Sequence, residues 1–513
     1  MLMLDIVNVN TKIYQNNTKK EDRKKKGQFF TPLTISKYMS SMSKNKKKRL
    51  KILDCGAGTG ILGVSLLEKL IKDDIVEEIE IDFYENDKEV LDVLNKEINE
   101  LEEILNNKKI KLTIIEENFI LYNKEIWNDS NFNGIYDIII SNPPYKKLNK
   151  QSEESVALES IVYGQPNIYF LFMAMAIKLL NKDGEMIFIT PRSFTSGAYF
   201  KKFRKYLIDN ITISNIHIFD SRNELFKGEE VLQEAIITRC VKNSNIKYVE
   251  ITSSQDSNLD ISNKIRIEYS KIVDNKSENR FILIPSTKED INVLNLMRAW
   301  NKNLIDIGLK LKTGPVVDFR AKKFLTNEYI EGETVPLFWS DNFVENTIKY
   351  INNTKNYRFI LNTKDSNKLM VKNKDYLLVK RFTSKEEKRR IQIALYEHEK
   401  FSEYKEIGIE NHVNYIVKQN GNFEKEELYG VFCLFNSSLI DRYYRILNGN
   451  TQVNATEANS IPLPEMNKIK ELGKELLKSN DLSTEKCDYL INYVFRSDLD
   501  EKSRGSKRNI KIS

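Results

Sequence analysis

The chain has 513 residues, too many for one ordinary domain and enough for two or three. Hydrophobic residues at 41% and aromatics at 10% can build sizeable cores, which excludes wholesale disorder, and a net charge of +7 is too balanced to argue for nucleic acid by itself. Four scattered cysteines with no CxxC pair, and only three histidines, exclude a zinc site and read as reduced interior thiols of a cytoplasmic protein.

In chain order, residues 1–26 are polar, either poorly ordered or helical, and the opening MLMLDIVNVN lacks the pattern of a signal peptide. Lys24–Lys26, Lys46–Arg49 and Lys388–Arg390 are basic clusters, each of which alone reads as a solvated face. Strands are predicted at Lys51–Asp54, Ile79–Tyr84, Lys111–Glu116 and Tyr136–Ser141, with helices at Ile61–Leu70 and Val90–Leu105. A helix at Tyr169–Leu180 leads through a Lys182-Asp183-Gly184 turn into a strand at Glu185–Thr190. The run from Ile168 to Leu180 is too short to span a bilayer, so no membrane segment is expected. Alternating strands and helices predict an α/β, doubly wound Rossmann-like domain over 27–250, with ligands at the carboxyl ends of its strands. Residues 252–280 read as a polar, loop-rich boundary. A second domain of mixed α+β character follows at 285–465, then a helical segment and basic tail at 466–513.

Three strand ends carry candidate binding residues. Asp54, Gly56, Gly58 and Gly60 follow the first strand and open a helix; the glycines permit a tight turn and a close backbone approach. The spacing is not that of a dinucleotide loop, and Asp54 disfavours a phosphate while suiting a cationic amino group. Glu85 ends the second strand, where a carboxylate can accept both ribose hydroxyls; Asp87 competes for that role. Asn118 and Phe119 follow the third, an amide and a ring suited to an adenine edge and face, unless Phe119 is simply core. Together they suit a nucleoside bearing an amino acid, as in S-adenosyl-L-methionine.

Asn142-Pro143-Pro144-Tyr145 follows the fourth strand. An amide-type NH2 delocalises its lone pair and is a poor nucleophile. The Asn142 side-chain oxygen and the Pro143 carbonyl can accept its two hydrogens, localising the lone pair for attack on a methyl group. The stiff Pro143-Pro144 pair fixes that carbonyl, and Tyr145 offers a face on which a planar target can stack. No metal is required for this chemistry.

These motifs resemble the γ-class of N6-adenine DNA methyltransferases of restriction-modification systems. Gly27-Gln28-Phe29-Phe30-Thr31-Pro32 is similar to that family's N-terminal motif, and the resemblance spans roughly residues 24–240. It implies that Thr31 and Asp54 contact the methionine part of the cofactor, Glu85 the ribose, and Asn118 with Phe119 the adenine; the family more often has Asp at position 118. Leu225–Val231 is similar to the segment whose aromatic, here Phe226, sandwiches a flipped adenine opposite Tyr145. The length and the ending Asn450–Pro464 resemble stand-alone enzymes of the BsuBI/PstI type, implying double-stranded DNA as substrate, CTGCAG as target and a separate cognate restriction endonuclease. A modification subunit of a multi-subunit system and a protein-glutamine methyltransferase are the alternatives. The latter lacks both a long C-terminal domain and the Gly27–Pro32 motif. In the second half, Arg320, Lys322, Lys323, Lys380, Arg381, Lys388, Arg389, Arg390, Arg442 and Arg445, interleaved with aromatics, suggest a target-recognition domain. Asn450, Gln452 and Asn454 are candidates for base edges.

Overall fold

The computed structural model describes residues 3–105, 109–219, 234–275, 277–350, 356–384 and 386–495. The chain divides into two compact units, Met1–Lys288 and Glu289–Ser513. The first opens with helices α1 (Met3–Asn17), α2 (Lys20–Lys26) and α3 (Leu33–Ser41). β1 (Arg49–Cys55), α4 (Ile61–Asp73), β2 (Glu78–Tyr84), α5 (Lys88–Leu105) and β3 (Ile110–Ile115) follow. The short helices α6 (Phe119–Tyr122) and α7 (Lys124–Asn128) lead to β4 (Tyr136–Ser141). Next come α8 (Glu153–Ala157), α9 (Ile168–Leu179), β5 (Leu180–Pro191) and α10 (Lys201–Asn210). The unit's remaining strands are β6 (Ile211–Phe219), β7 (Ala235–Lys242), β8 (Tyr248–Ser254) and β9 (Ile261–Glu268).

These strands form one sheet in the order β3-β2-β1-β4-β5-β7-β6-β8-β9. The first five run parallel, and β7 is antiparallel to both its neighbours. Buried on both faces near their carboxyl ends, β1 and β4 carry Ile52-Leu53 and Ile138–Ile140, the apolar runs that parallel central strands require. The strand order reverses between β1 and β4, so the loops leaving their carboxyl ends flank a natural crevice. The doubly wound expectation therefore holds. Helix α9 is the apolar run noted above, with ten of its twelve residues buried, so it is a core helix. Among the described residues no helix is long and apolar enough to cross a membrane.

One open alternative is decided and two local expectations change. The N-terminal polar segment is helical, and Leu4 and Val7 of α1 join the core formed by α3, α4, α5 and the sheet. The expected turn at Lys182–Gly184 lies inside β5: pairing with β4 jumps from Leu180 to Glu185, and Asp183 has φ 62°. The polar stretch after residue 250 is not a boundary loop. β8 and β9 pair antiparallel there and extend the sheet. β9 is exposed at most of its positions, as an edge strand can be, which is why its sequence lacks apolar alternation.

The second unit contains a six-stranded sheet, a five-stranded sheet and helices near its end. Helices Lys425–Phe435 and Met466–Ser479 meet at glycines: a Cβ on Gly430 would lie 1.9 Å from the Ile469 carbonyl oxygen, and one on Gly473 1.9 Å from that of Glu426. This α+β unit is mixed, as the composition of that half implied.

Candidate active site

The loops after β1, β2, β3 and β4, together with the α2–α3 connection, enclose a cavity of about 300 Å³. Thr31, Gly56, Gly58, Glu85, Asn118, Phe119, Asn142 and Pro144 all line it. Asp54, Gly60, Pro143 and Tyr145 do not. Phe226, with the rest of Leu225–Val231, lies outside the described residues.

The glycine loop is tied down by its own backbone. The N–H groups of Gly56 and Ala57 donate to the Tyr84 carbonyl at 3.0 and 2.8 Å, and that of Gly58 donates to Glu85 Oε2 at 2.9 Å. Those amides are thus spent inside the protein, unlike the donors of a phosphate-cradling loop. Gly56 and Gly58 have φ of 74° and 58°, a region costly for other residues. A Cβ on Gly56 would approach Phe172 to 3.3 Å, intruding on the cavity wall. Gly60 instead opens α4 against Leu94 and Phe83 of the core. Asp54 is fully buried; its Oδ2 accepts from the Gly63 N–H at 2.8 Å and its Oδ1 has no partner. Burial pushes its carboxyl up to about 8, which the Gly63 bond only partly opposes. Its one hydrogen bond braces the first turn of α4.

Glu85 accepts three backbone N–H bonds, from Gly58, Asn86 and Asp87. Burial raises its carboxyl above the ordinary range, and these donors oppose the rise. Asp87 is held by Lys26 Nζ at 2.7 Å and Gln28 Nε2 at 2.6 Å. The aromatic end of the cavity is made by Tyr84, Phe119 and Phe172, with Phe119 5.3 Å from Tyr84 and 5.0 Å from Phe172 between ring centroids. Asn118 does not offer its oxygen there. Its Oδ1 accepts the N–H groups of Ile120 and Leu121, both at 3.1 Å, capping α6. That explains why an Asn can occupy a position where an Asp is the commoner residue: both cap helices. Its Nδ2 donates to Glu154 Oε1 at 3.1 Å.

Asn142 is oriented from the α2–α3 connection. Its Nδ2 donates to the Phe29 carbonyl at 2.6 Å and to Thr31 Oγ1 at 3.1 Å. A carbonyl only accepts, so the NH2 must face Phe29 and the oxygen must face away. That oxygen is buried and has no partner. Gln28 is held likewise: Asp87 fixes its NH2, and its buried Oε1 lacks a partner. Both residues line the cavity, and each keeps one buried side-chain oxygen without a hydrogen-bond partner, an acceptor that a donor could satisfy. Thr31 serves Asn142 through this bond.

Tyr145 is fixed at three points. Its N–H donates to the Gly27 carbonyl at 3.0 Å, its hydroxyl to the Ile189 carbonyl at 3.0 Å, and Phe29 stacks on its ring at 5.5 Å. Burial raises its hydroxyl well above the usual tyrosine range. Gly27 is left-handed at φ 75°, and a Cβ there would lie 3.1 Å from the Tyr145 backbone. The glycine before Gln28 is thus required by the approach of the tetrapeptide itself. The structure adds Gln28, Glu154 and Phe172 to the residues expected from sequence. Gln28 sat inside a recognised motif, whereas Glu154 lies in a polar stretch with no distinguishing pattern. Among the described residues no cluster of His, Cys, Asp and Glu could hold a metal ion.

The family described as Eco57I restriction-modification methylase matches residues 8–226. The chain is 33% identical over 460 residues to the type II methyltransferase M.BsuBI of Bacillus subtilis, covering 88% of this chain and 90% of that one. It is 32% identical over 480 residues to M.PstI of Providencia stuartii, covering 92% and 93%. Among solved structures, the type IIL restriction-modification enzyme MmeI in complex with DNA aligns over 96% of this chain and 74% of its own, at TM-score 0.53 and 14% identity, a likeness of fold. The chain belongs to the type II DNA methyltransferases of restriction-modification systems.

Proposed function

We propose that the chain transfers a methyl group from S-adenosyl-L-methionine to the N6 amine of adenine in double-stranded DNA. The observation that carries this reading is the Asn142 oxygen, buried, unpartnered and turned away from the carbonyl that holds its NH2. The residues fit the cofactor: the glycines leave room where a Cβ would intrude, and Gln28 Oε1 awaits a donor. When bound, the cofactor supplies an electrophilic sulfonium methyl. Gly56 and Gly58 would admit its close approach, Glu85 or Asp87 would accept from its ribose hydroxyls, and Phe119 would stack on its planar ring.

The target amine is held by Asn142 Oδ1 and the Pro143 carbonyl, one hydrogen each. Its lone pair would thereby be freed to attack the methyl carbon; the new N–C bond would form as the S–CH3 bond breaks, leaving a neutral thioether, and one amine hydrogen would then pass to water as a proton. A base inside a duplex cannot reach this site, so it must swing out of the stack, with Tyr145 as its platform. Residues 285–465 read the target sequence, and CTGCAG is the site the BsuBI/PstI resemblance makes first to test. A separate endonuclease cutting that site is the functional counterpart, and the cytoplasm is where both would act.

Asn142→Ala tests the mechanism. It removes one of two preorganised acceptors, so the single-turnover methylation rate should fall by about 100-fold or more while cofactor affinity stays nearly unchanged. A variant methylating at the wild-type rate would overturn the role given to Asn142.

A further inference from the structure

The aromatic end of the cavity poses a recognition problem. A ring stacked on Phe119 presents an edge, and if that ring is adenine the edge includes an exocyclic amine with two hydrogens to donate. The residue nearest in sequence, Asn118, cannot take them. Its side-chain oxygen already accepts two N–H bonds from the first turn of α6, one for each lone pair. Its Nδ2 is a donor and would face the amine donor to donor. The acceptor must come from elsewhere in the wall.

Two carboxylates lie near this end. Glu117 is exposed. Glu154, in the first turn of α8, is half-buried, lines the cavity and is held through Oε1 by Asn118 Nδ2 at 3.1 Å. A carboxylate bound through one oxygen keeps acceptor capacity on both. We infer that Glu154 accepts a hydrogen bond from the 6-amino group of the cofactor's adenine ring, with Asn118 as the positioning residue that aims it. This rests on the cofactor reading above. The arrangement divides the work between two residues: Asn118 caps α6 through its oxygen, and the negative charge comes from Glu154 in the first turn of α8.

Glu154→Gln is nearly isosteric but converts one acceptor into a donor. Either Asn118 or the amine would then meet a donor. The test is calorimetric titration of the full chain with S-adenosyl-L-homocysteine and with its analogue lacking the 6-amino group. The wild type should prefer the amine-bearing ligand by about tenfold or more, as for a hydrogen bond to a charged acceptor. Glu154→Gln should weaken that ligand by about the same factor and abolish the preference, leaving the desamino analogue little changed. Glu117→Gln should behave as wild type. If Glu154→Gln keeps the preference, or weakens both ligands equally, the inference is overturned while the cofactor reading stands. If the wild type binds neither ligand, the cofactor reading falls and the inference with it.

Discussion

Asn142 and Tyr145 are held from a segment more than a hundred residues earlier, and that shapes how each should respond to substitution. The Tyr145 hydroxyl donates to the Ile189 carbonyl, so the ring's pose depends on a bond that Phe cannot make. Tyr145→Phe should lose roughly 1 kcal/mol of that restraint, read as a methylation rate lower by about five- to tenfold. Tyr145→Ala should lose far more, since it removes the ring. Equal activity in Tyr145→Phe and wild type, measured on a saturating duplex, would show that the hydroxyl anchor is irrelevant. The sequence made Asn142, Tyr145 and the glycines legible because their backbone setting is local: a strand, a turn, then a helix. It did not reveal the partners that Thr31, Asp54 and Asn118 have within the protein, because those bonds are tertiary or belong to a helix cap. Thr31 meets Asn142, Asp54 meets Gly63, and Asn118 meets its own helix.

Elements were legible where periodicity was strong. β1, β2, β4 and α9 fall within a few residues of expectation because buried parallel strands and core helices need unbroken apolar runs. α1 was legible only as one of two alternatives, since its buried positions Leu4, Val7, Thr11 and Tyr14 are few and partly polar. That helix helps to bury an acid on α5. Glu97 is 1% exposed, and neither of its oxygens has a hydrogen-bond partner. Burial pushes its carboxyl up to about 9, opposed by the nearby Asn10 amide. The folded chain therefore retains a proton that the unfolded chain has released above about 4.5. Stability should fall as pH rises from that value to about 9. Glu97→Gln removes the ionisable group. Its melting temperature should exceed that of wild type by roughly 2–5 °C at pH near 8, with the gain shrinking toward pH 5. A gain independent of pH, or a loss at pH near 8, would count against a buried, protonated Glu97.

At the scale of the whole molecule, charge proved a poor guide until burial was known. Of the basic residues read as a recognition set, Arg390 is buried and bonded to the Asn450 carbonyl, and Arg389 donates to the carbonyls of Ile391, Phe435 and Ser437. Arg442 pairs with Asp290, and Arg445 with Asp441. Asn454 donates to the buried Glu457, as Asn448 and Tyr444 do, so part of the amide-rich ending is an internal network. In the N-terminal half, Lys26 and Lys47–Arg49 are likewise paired with acids. Lys388 stays exposed, as do Arg320, Lys322 and Lys323 in the segment Asp318–Phe324, around Phe319, itself 72% exposed. Exposed lysines and arginines of this kind can anchor phosphates, contacts that carry no sequence information. Replacing Arg320, Lys322 and Lys323 by Ala should weaken cognate and unrelated duplex alike, and should flatten the salt dependence by about 0.9 for each phosphate no longer neutralised. Anisotropy titrations across ionic strength measure both. A weakening confined to the cognate site would assign these residues to base reading instead.

The central claim is that the methyl group arrives on one atom, the exocyclic nitrogen of adenine. The full chain should be incubated with duplex DNA and a cofactor labelled in its methyl group, and the DNA digested to nucleosides and separated. The label should appear in N6-methyldeoxyadenosine, at the cognate site and not in duplexes lacking it. Label in a methylated cytosine, or in protein rather than DNA, would contradict that claim.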